Sequence, residues 1–554
     1  MDHLSGLDAT FLYLETPEQP MHVGGLNIFE MPAGYAGDFV GDLRTHITQR
    51  MHLAPVFRRK LVNMPFELAN PIWALDDDMD MEYHIRSTVL PKPGTRAQLD
   101  KLVGRLHSSL LDRSRPLWEF YVIEGVASPK DAPAGTRHVA FYSKVHHAAL
   151  DGAAGVALAT AIMDVTATPR AVRPAPNRLA LATDNFGIAE LAVAGLKNTA
   201  VQSAKLAKNL PGLARAAYSM LRPPKSEEPA LGVAGLELVD SSGNSPQKNR
   251  WFAPKTPINV SITNQRSFSS LSFPLADIKH VAKGNGVTLN DVVMGICSGA
   301  LRRYLADLHC TPEHSLLAAV PVSLREAGNT DMNTQASMMR ISLASTVADP
   351  KARLLAINQA SKAAKAASAN MNSVMPTDFP SLGVPWILSG LAALFGRSKL
   401  ANNMSPLANL AISNVPGPNM ALYLAGAKML TYYPVSIVTH SLALNVTVQS
   451  YNGSLDFGLI ACRKAMPDLP ELAKYMQKTF DEMLAFTPAA APAATPAVTP
   501  VAPVAETKPV VKKPAAKKPA AKKTARSKAV ANKVVAKKAL AKKAAVKKIV
   551  AKKQ

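Results

Sequence analysis

Cysteine is scarce in this 554-residue chain: Cys297, Cys310 and Cys462 form no CxxC pair and leave one thiol over after any pairing. That excludes a disulfide framework and a thiolate zinc site, and it fits a reducing compartment. Long hydrophobic runs are missing as well. No stretch of about 20 uninterrupted apolar residues occurs, the length a membrane-crossing helix needs. The nearest, LGVPWILSGLAALFG at 382–396, is short and contains Pro385, so it reads as core or as a segment lying in an interface. The start, MDHLSGLDATF, lacks the basic-then-apolar order of a secretory signal, which points to a protein kept inside the cell. A GxSxG elbow and a P-loop are also absent, leaving serine-hydrolase geometry and ATP chemistry without support.

What is present describes a folded body with an unusual end. Hydrophobic residues make up 47% and charged residues 19%, the balance of a soluble globular protein. The formal charge is +23, yet residues 501–554 alone hold 17 Lys, Arg526 and Glu506, so the preceding 500 residues are close to neutral. At this length the chain divides into domains. Residues 1–170 mix strand and helix patterns, including the apolar run HVAFYSKVHH at 138–147 and the helical GAAGVALATAIMDV that follows. From 171 to 248 proline punctuates an Ala/Leu-rich segment carrying Lys197, Lys205 and Lys208, a linker with helix. A second mixed region covers 249–488. Within it, TLNDVVMGICSGALRRYL at 288–305 places Val293, Ile296, Cys297, Ala300, Leu301, Tyr304 and Leu305 on one helical face, with Thr288 and Asp291 as a capping pair. Cys297 is therefore expected in the core. Residues 489–554, with AKKPAAKKPAAKK, cannot bury enough apolar surface to order and form a disordered basic tail. The fold class is α/β with mixed α+β sheets.

One short stretch carries chemistry. KVHHAALDGAAG at 144–155 sets two histidines side by side at a strand end, with Asp151 and Gly152 beyond them. Side chains alternate along a strand, so His146 and His147 cannot both face one cavity. Asp151 suits a helix start, and Gly152 leaves room for a ligand or another backbone. A neutral imidazole takes a proton from an attacking alcohol or thiol, which suits acyl transfer. Two other readings stay open on the motif alone: a pair of buried structural histidines, or metal ligands, the latter lacking a second His/Cys cluster. Ser143 stands four residues before His147, with nothing to mark it as a nucleophile.

HHAALDG resembles the HHxxxDG signature of the chloramphenicol acetyltransferase-like superfamily, which includes peptide-synthetase condensation domains. LSGLDATFLYLETPEQPMHVGGLNIFE at 4–30, LDRSRPLWEFYVIEG at 111–125, TLNDVV at 288–293, PVSLR at 321–325, SNVPGP at 413–418 and SYNGSLDFGL at 450–459 resemble bacterial wax ester synthase/diacylglycerol acyltransferases, in that family's order. The resemblance spans residues 1–485 and excludes the tail. It implies two chloramphenicol acetyltransferase-like domains joined by the linker, with a channel between them. It also implies transfer of a long acyl group from acyl-CoA to the hydroxyl of diacylglycerol or a long-chain alcohol, without a covalent intermediate, metal or cofactor. His147 corresponds to the general base, His146 and Asp151 to residues holding the loop, and Gly152 to the position leaving space for substrate. Pro116, Leu117 and Trp118 match a PLW segment near the site, and Asn290 and Asp291 an ND segment from the second half.

Chemistry qualifies those assignments. Asn290 can donate to an oxyanion, while Asn290 and Asp291 also suit a plain helix start, and Trp118 suits a core as well as a site wall. The linker helix and 382–396 fit a peripheral position on anionic lipid at the inner membrane face or on lipid inclusions, or ordinary packing. The tail resembles the arms of linker histones: it fits a polyanion partner, nucleic acid or anionic lipid, or serves as a solvated spacer. An inactive body tethered to nucleic acid through that tail is the competing function. A condensation-type amide synthase is a third, disfavoured by the lack of a carrier domain.

Overall fold

A computed structural model of the chain describes residues 2–64, 70–76, 78–128, 132–133, 135–150, 152–174, 252–323, 336–371, 394, 396 and 398–488. Asp151, nearly all of the linker, most of 382–396 and the whole tail lie outside the described residues. Every described residue falls within one compact unit, Met1–Ala491.

The first half runs β1 (Asp2–His3), α1 (Gly6–Leu14), β2 (His22–Glu30), α2 (Phe39–Thr48), β3 (Arg59–Val62), β4 (Ile72–Leu75) and α3 (Met81–His84). It continues with β5 (Ile85–Val89), α4 (Arg96–His107), β6 (Trp118–Val126), β7 (His138–His146) and α5 (Gly152–Ile162). The second half runs β8 (Arg266–Pro274), α6 (Leu275–Gly284), α7 (Leu289–Asp307), β9 (Leu317–Ser323), β10 (Ala336–Ser342) and α8 (Pro350–Met371). β11 (Leu410–Val415), β12 (Tyr423–Leu424), β13 (Ala427–Val435), β14 (Leu444–Tyr451), β15 (Ser454–Cys462) and α9 (Leu469–Phe486) complete it.

Two six-stranded mixed sheets carry the molecule, ordered β12-β13-β2-β7-β6-β5 and β10-β9-β11-β14-β15-β8, beside a small β1-β4-β3 sheet. The halves are interleaved, because β13 from the second half pairs antiparallel with β2 of the first, Tyr433 opposite Leu26. Gly24 and Gly458 mark where backbones approach too closely for a side chain. A Cβ on Gly24 would lie 1.9 Å from the Ser143 carbonyl oxygen of β7, and one on Gly458 would lie 1.7 Å from that of Pro434, where the two sheets meet. Helix α4 adds a second bond between halves. Arg96 reaches Ser270 of β8, whose hydroxyl donates to Asp100 at 2.8 Å.

The continuous apolar run of β7 is explained by burial on both faces. Phe57, Trp118, Phe120 and Phe141 pack into the first-half core, and α7 and α9 cover the second sheet around Phe273, Phe457 and Phe480. The capping box of Thr288 and Asp291 starts α7, and the stripe containing Cys297, Leu301 and Tyr304 is buried.

Candidate active site

Strand β7 ends at His146, and a single turn of 3-10 helix, His147–Ala149, follows it before α5 begins at Gly152. The strand stops at His146, so it is the turn, not strand alternation, that separates the rings: His146 is fully buried and His147 half-buried. Backbone bonds pin the turn from two sides. The His146 amide donates to the Leu117 carbonyl at 2.9 Å, and the His147 amide to the Met21 carbonyl at 2.9 Å.

The His146 ring is committed to structure. Its Nδ1 accepts the Ala148 amide at 3.0 Å, so the neutral ring carries its proton on Nε2, which stands 3.3 Å from Oε1 of Glu15. That approach is not aligned as a hydrogen bond, although its charge complementarity is plain. Glu15 Oε1 also accepts the Met21 amide at 3.0 Å, while Oε2 accepts from Arg113 Nη2 at 2.7 Å. Burial alone would raise the Glu15 carboxyl; His146, Arg113 and the Met21 amide together bring it down to about 2.

The His147 ring is the reactive candidate. Burial pushes it down to about 4, its own backbone carbonyl opposing the shift and His146 adding to it. That carbonyl forms no hydrogen bond to Nδ1, which is buried and lacks a partner among the described residues. The Phe11 ring of α1 stacks on it, centroids 3.8 Å apart and planes within 16°. An imidazole so held is neutral at physiological pH. Among the described residues, no group of three or more His, Cys, Asp or Glu side chains stands together to hold a metal.

The remaining sequence candidates divide. Pro116, Leu117 and Trp118 are buried. The Trp118 indole, with no exposed surface, donates to the Phe57 carbonyl at 3.1 Å and stacks on His84. The PLW segment is thus packed into the interior, and it meets the site through Leu117, whose carbonyl accepts the His146 amide and whose side chain packs with Ala148. Asp291 is likewise held within the structure. It has no exposed surface, caps α7 through Thr288 and accepts Asn358 Nδ2 at 2.6 Å. Asn290, one helical step of about 100° away, is half-buried and faces elsewhere. Its Oδ1 accepts Asn414 Nδ2 at 2.5 Å, and its own Nδ2 makes no hydrogen bond among the described residues. Both asparagines line a cavity of about 210 Å³ walled by Met294, Ile341 and Ile412, with exposed Lys365 also in its lining. No hydrogen bond, ion pair or ring contact among the described residues joins Asn290 to the His147 turn. Gly152 opens α5.

Phe11, Glu15, Met21 and Arg113 went unmarked in the sequence. Their only signal was membership in the stretches 4–30 and 111–125.

Comparison with known proteins identifies the family. The family model described as wax ester synthase/diacylglycerol acyltransferase catalytic domain matches residues 4–293, and that of the WS/DGAT C-terminal domain matches 333–484. A putative diacylglycerol O-acyltransferase of Mycobacterium tuberculosis is 35% identical over 480 residues, covering 87% of this chain and 99% of its own length. The O-acyltransferase WSD of Acinetobacter baylyi is 32% identical, covering 86% of this chain and 96% of its own. The solved wax ester synthase/diacylglycerol acyltransferase of Marinobacter aquaeolei VT8 aligns at a TM-score of 0.60 and 30% identity over 87% of this chain and 98% of that one. With both of its halves matched in order, the chain belongs to the wax ester synthase/diacylglycerol acyltransferase family of O-acyltransferases.

Proposed function

We propose that this enzyme moves a long-chain acyl group from acyl-CoA to the hydroxyl of diacylglycerol or a long-chain alcohol, with His147 as general base. The observation that carries the reading is the His147 ring: neutral, half-buried and mounted where the backbone is tied to Met21 and Leu117, the residues just before β2 and β6. The hydroxyl proton passes to the ring as the oxygen attacks the thioester carbonyl carbon. The carbon–sulfur bond then breaks, and the imidazolium returns the proton to the departing CoA sulfur. A ring held near 4 is a weak base, so proton transfer accompanies attack rather than preceding it.

The 210 Å³ cavity beside Asn290 is apolar enough for alkyl chain but smaller than a whole ligand pocket of about 300–1,000 Å³, so it suits a segment of chain. Each methylene buried there contributes about 0.8 kcal/mol. The enzyme works on lipid at a membrane or inclusion surface, and its tail, with 17 Lys, adds salt-sensitive attraction to polyanions such as anionic lipid or nucleic acid. Two assays test these statements. Purified protein given palmitoyl-CoA with dioleoylglycerol or hexadecanol releases free CoA and forms the ester; release without ester, or neither, contradicts the reading. Truncation after residue 490 leaves turnover intact and removes polyanion retention; lost turnover contradicts the division of roles.

A further inference from the structure

We propose that Glu15 is a positioning residue for acyl transfer: its buried carboxylate gathers the two residues that frame His147. The inference rests on His147 being the base. One oxygen, Oε1, faces both Met21 and His146, accepting the Met21 amide at 3.0 Å and standing 3.3 Å from His146 Nε2. Met21 spends its amide on Glu15 and its carbonyl on the His147 amide, so a single peptide residue links the carboxylate to the catalytic turn. His146 does the same from the strand side. Its Nδ1 holds the Ala148 amide, which leaves Nε2–H for Glu15. The carboxylate thereby anchors the Met21 backbone on one side of His147 and stands beside the His146 ring, whose tautomer the Ala148 amide sets, on the other.

Glu15 lies at the end of α1, the helix that also supplies Phe11 against the His147 ring. One N-terminal segment, residues 11–21, therefore contacts both histidines. The Glu15 side chain is 2% exposed and Arg113 is 44% exposed. Arg113 balances the charge from the solvent side, whereas the His146 and Met21 contacts are internal. During turnover His147 becomes positive, and an ionised carboxylate on its neighbour favours that state only once the proton has moved. Loss of Glu15 should thus fall on kcat rather than on KM.

The test compares Glu15→Gln, Arg113→Gln and the double variant in the full-length enzyme. Glu15→Gln is expected to lower kcat by about ten- to a hundredfold with KM for palmitoyl-CoA within about twofold, the cost of a misplaced catalytic group. Arg113→Gln, at a half-exposed site, should cost less than about threefold. The double variant should match Glu15→Gln. Recovery of the double variant to wild-type turnover would mean that only charge balance matters and would overturn the inference, as would unchanged kcat in Glu15→Gln. Should Glu15→Gln not fold, Glu15→Asp keeps the charge and shortens the reach: reduced kcat with unchanged KM supports the role, and wild-type kcat contradicts it. A His147→Ala enzyme with full activity overturns the base itself, whereas an inactive His147→Ala beside a fully active Glu15→Gln overturns this inference alone.

Discussion

The Phe11 ring covers one face of the His147 imidazole, centroids 3.8 Å apart and planes within 16°. Stacking of this kind stabilises a ring pair by about 0.5–1.5 kcal/mol beyond burial and limits the rotamers of the imidazole. Phe11→Ala is expected to lower kcat by about two- to tenfold, the rate equivalent of that energy. Phe11→Tyr, which keeps the ring, should stay near wild type. Steady-state assay of both variants checks the pair; equal activity in Phe11→Ala and wild type would separate the stack from catalysis.

The depressed His147 value fixes where acid should stop the enzyme. A general base at His147 would work only unprotonated, and burial holds the folded ring down to about 4. The profile of kcat/KM should therefore be level through neutrality and fall only as pH approaches 4. A falling limb centred near the ordinary histidine value of about 6.5 would contradict the burial of the ring.

Acid should nonetheless weaken the fold at a higher pH. His22 and His107 are buried, and burial holds His22 well below 6.5 and His107 at about 3. Both have depressed folded values, so they are neutral when folded and take up protons when unfolded. Stability present above about pH 6.5 is then lost as pH falls, by about 1.4 kcal/mol per unit for each ring until its folded value is reached. Urea midpoints measured from pH 7.5 down to 5 should decline steadily, and a flat series would contradict these assignments.

Asn290 and Asp291 are neighbours with different tasks. Asp291→Ala removes the side-chain half of the α7 capping box and the Asn358 contact, so it should destabilise by about 1–2 kcal/mol and lower the melting temperature. Asn290→Ala should leave the melting temperature within about 2 °C and instead alter the kinetics with acyl chains of different length. Thermal unfolding beside a chain-length series separates the two, and reversed effects would contradict the placement of the side chains.

Local signals were legible in the sequence and distant ones were not. The apolar run at 138–147 announces a doubly buried strand, and Thr288 with Asp291 announces a helix start, because each signal sits within a few residues of its effect. The exchange of β13 into the first sheet is invisible, since β2 and β13 lie about 400 residues apart and either strand could pair with any partner of matching pattern. The site follows the same division. His147 is marked by its motif, whereas Glu15 and Arg113 meet across 98 residues with no pattern to connect them. Trp118 was not legible, because an apolar side chain suits a core and a lipid wall equally, and its full burial shows only in the folded chain.

The most direct measurement is release of free CoA from palmitoyl-CoA and hexadecanol by His147→Ala, beside wild type, with the fold checked by circular dichroism. Loss of a base that contributes about 10²–10⁴-fold should abolish turnover within that range while the spectrum and the melting temperature stay close to wild type. A folded His147→Ala enzyme that releases CoA at the wild-type rate would show that the proton leaves by another route.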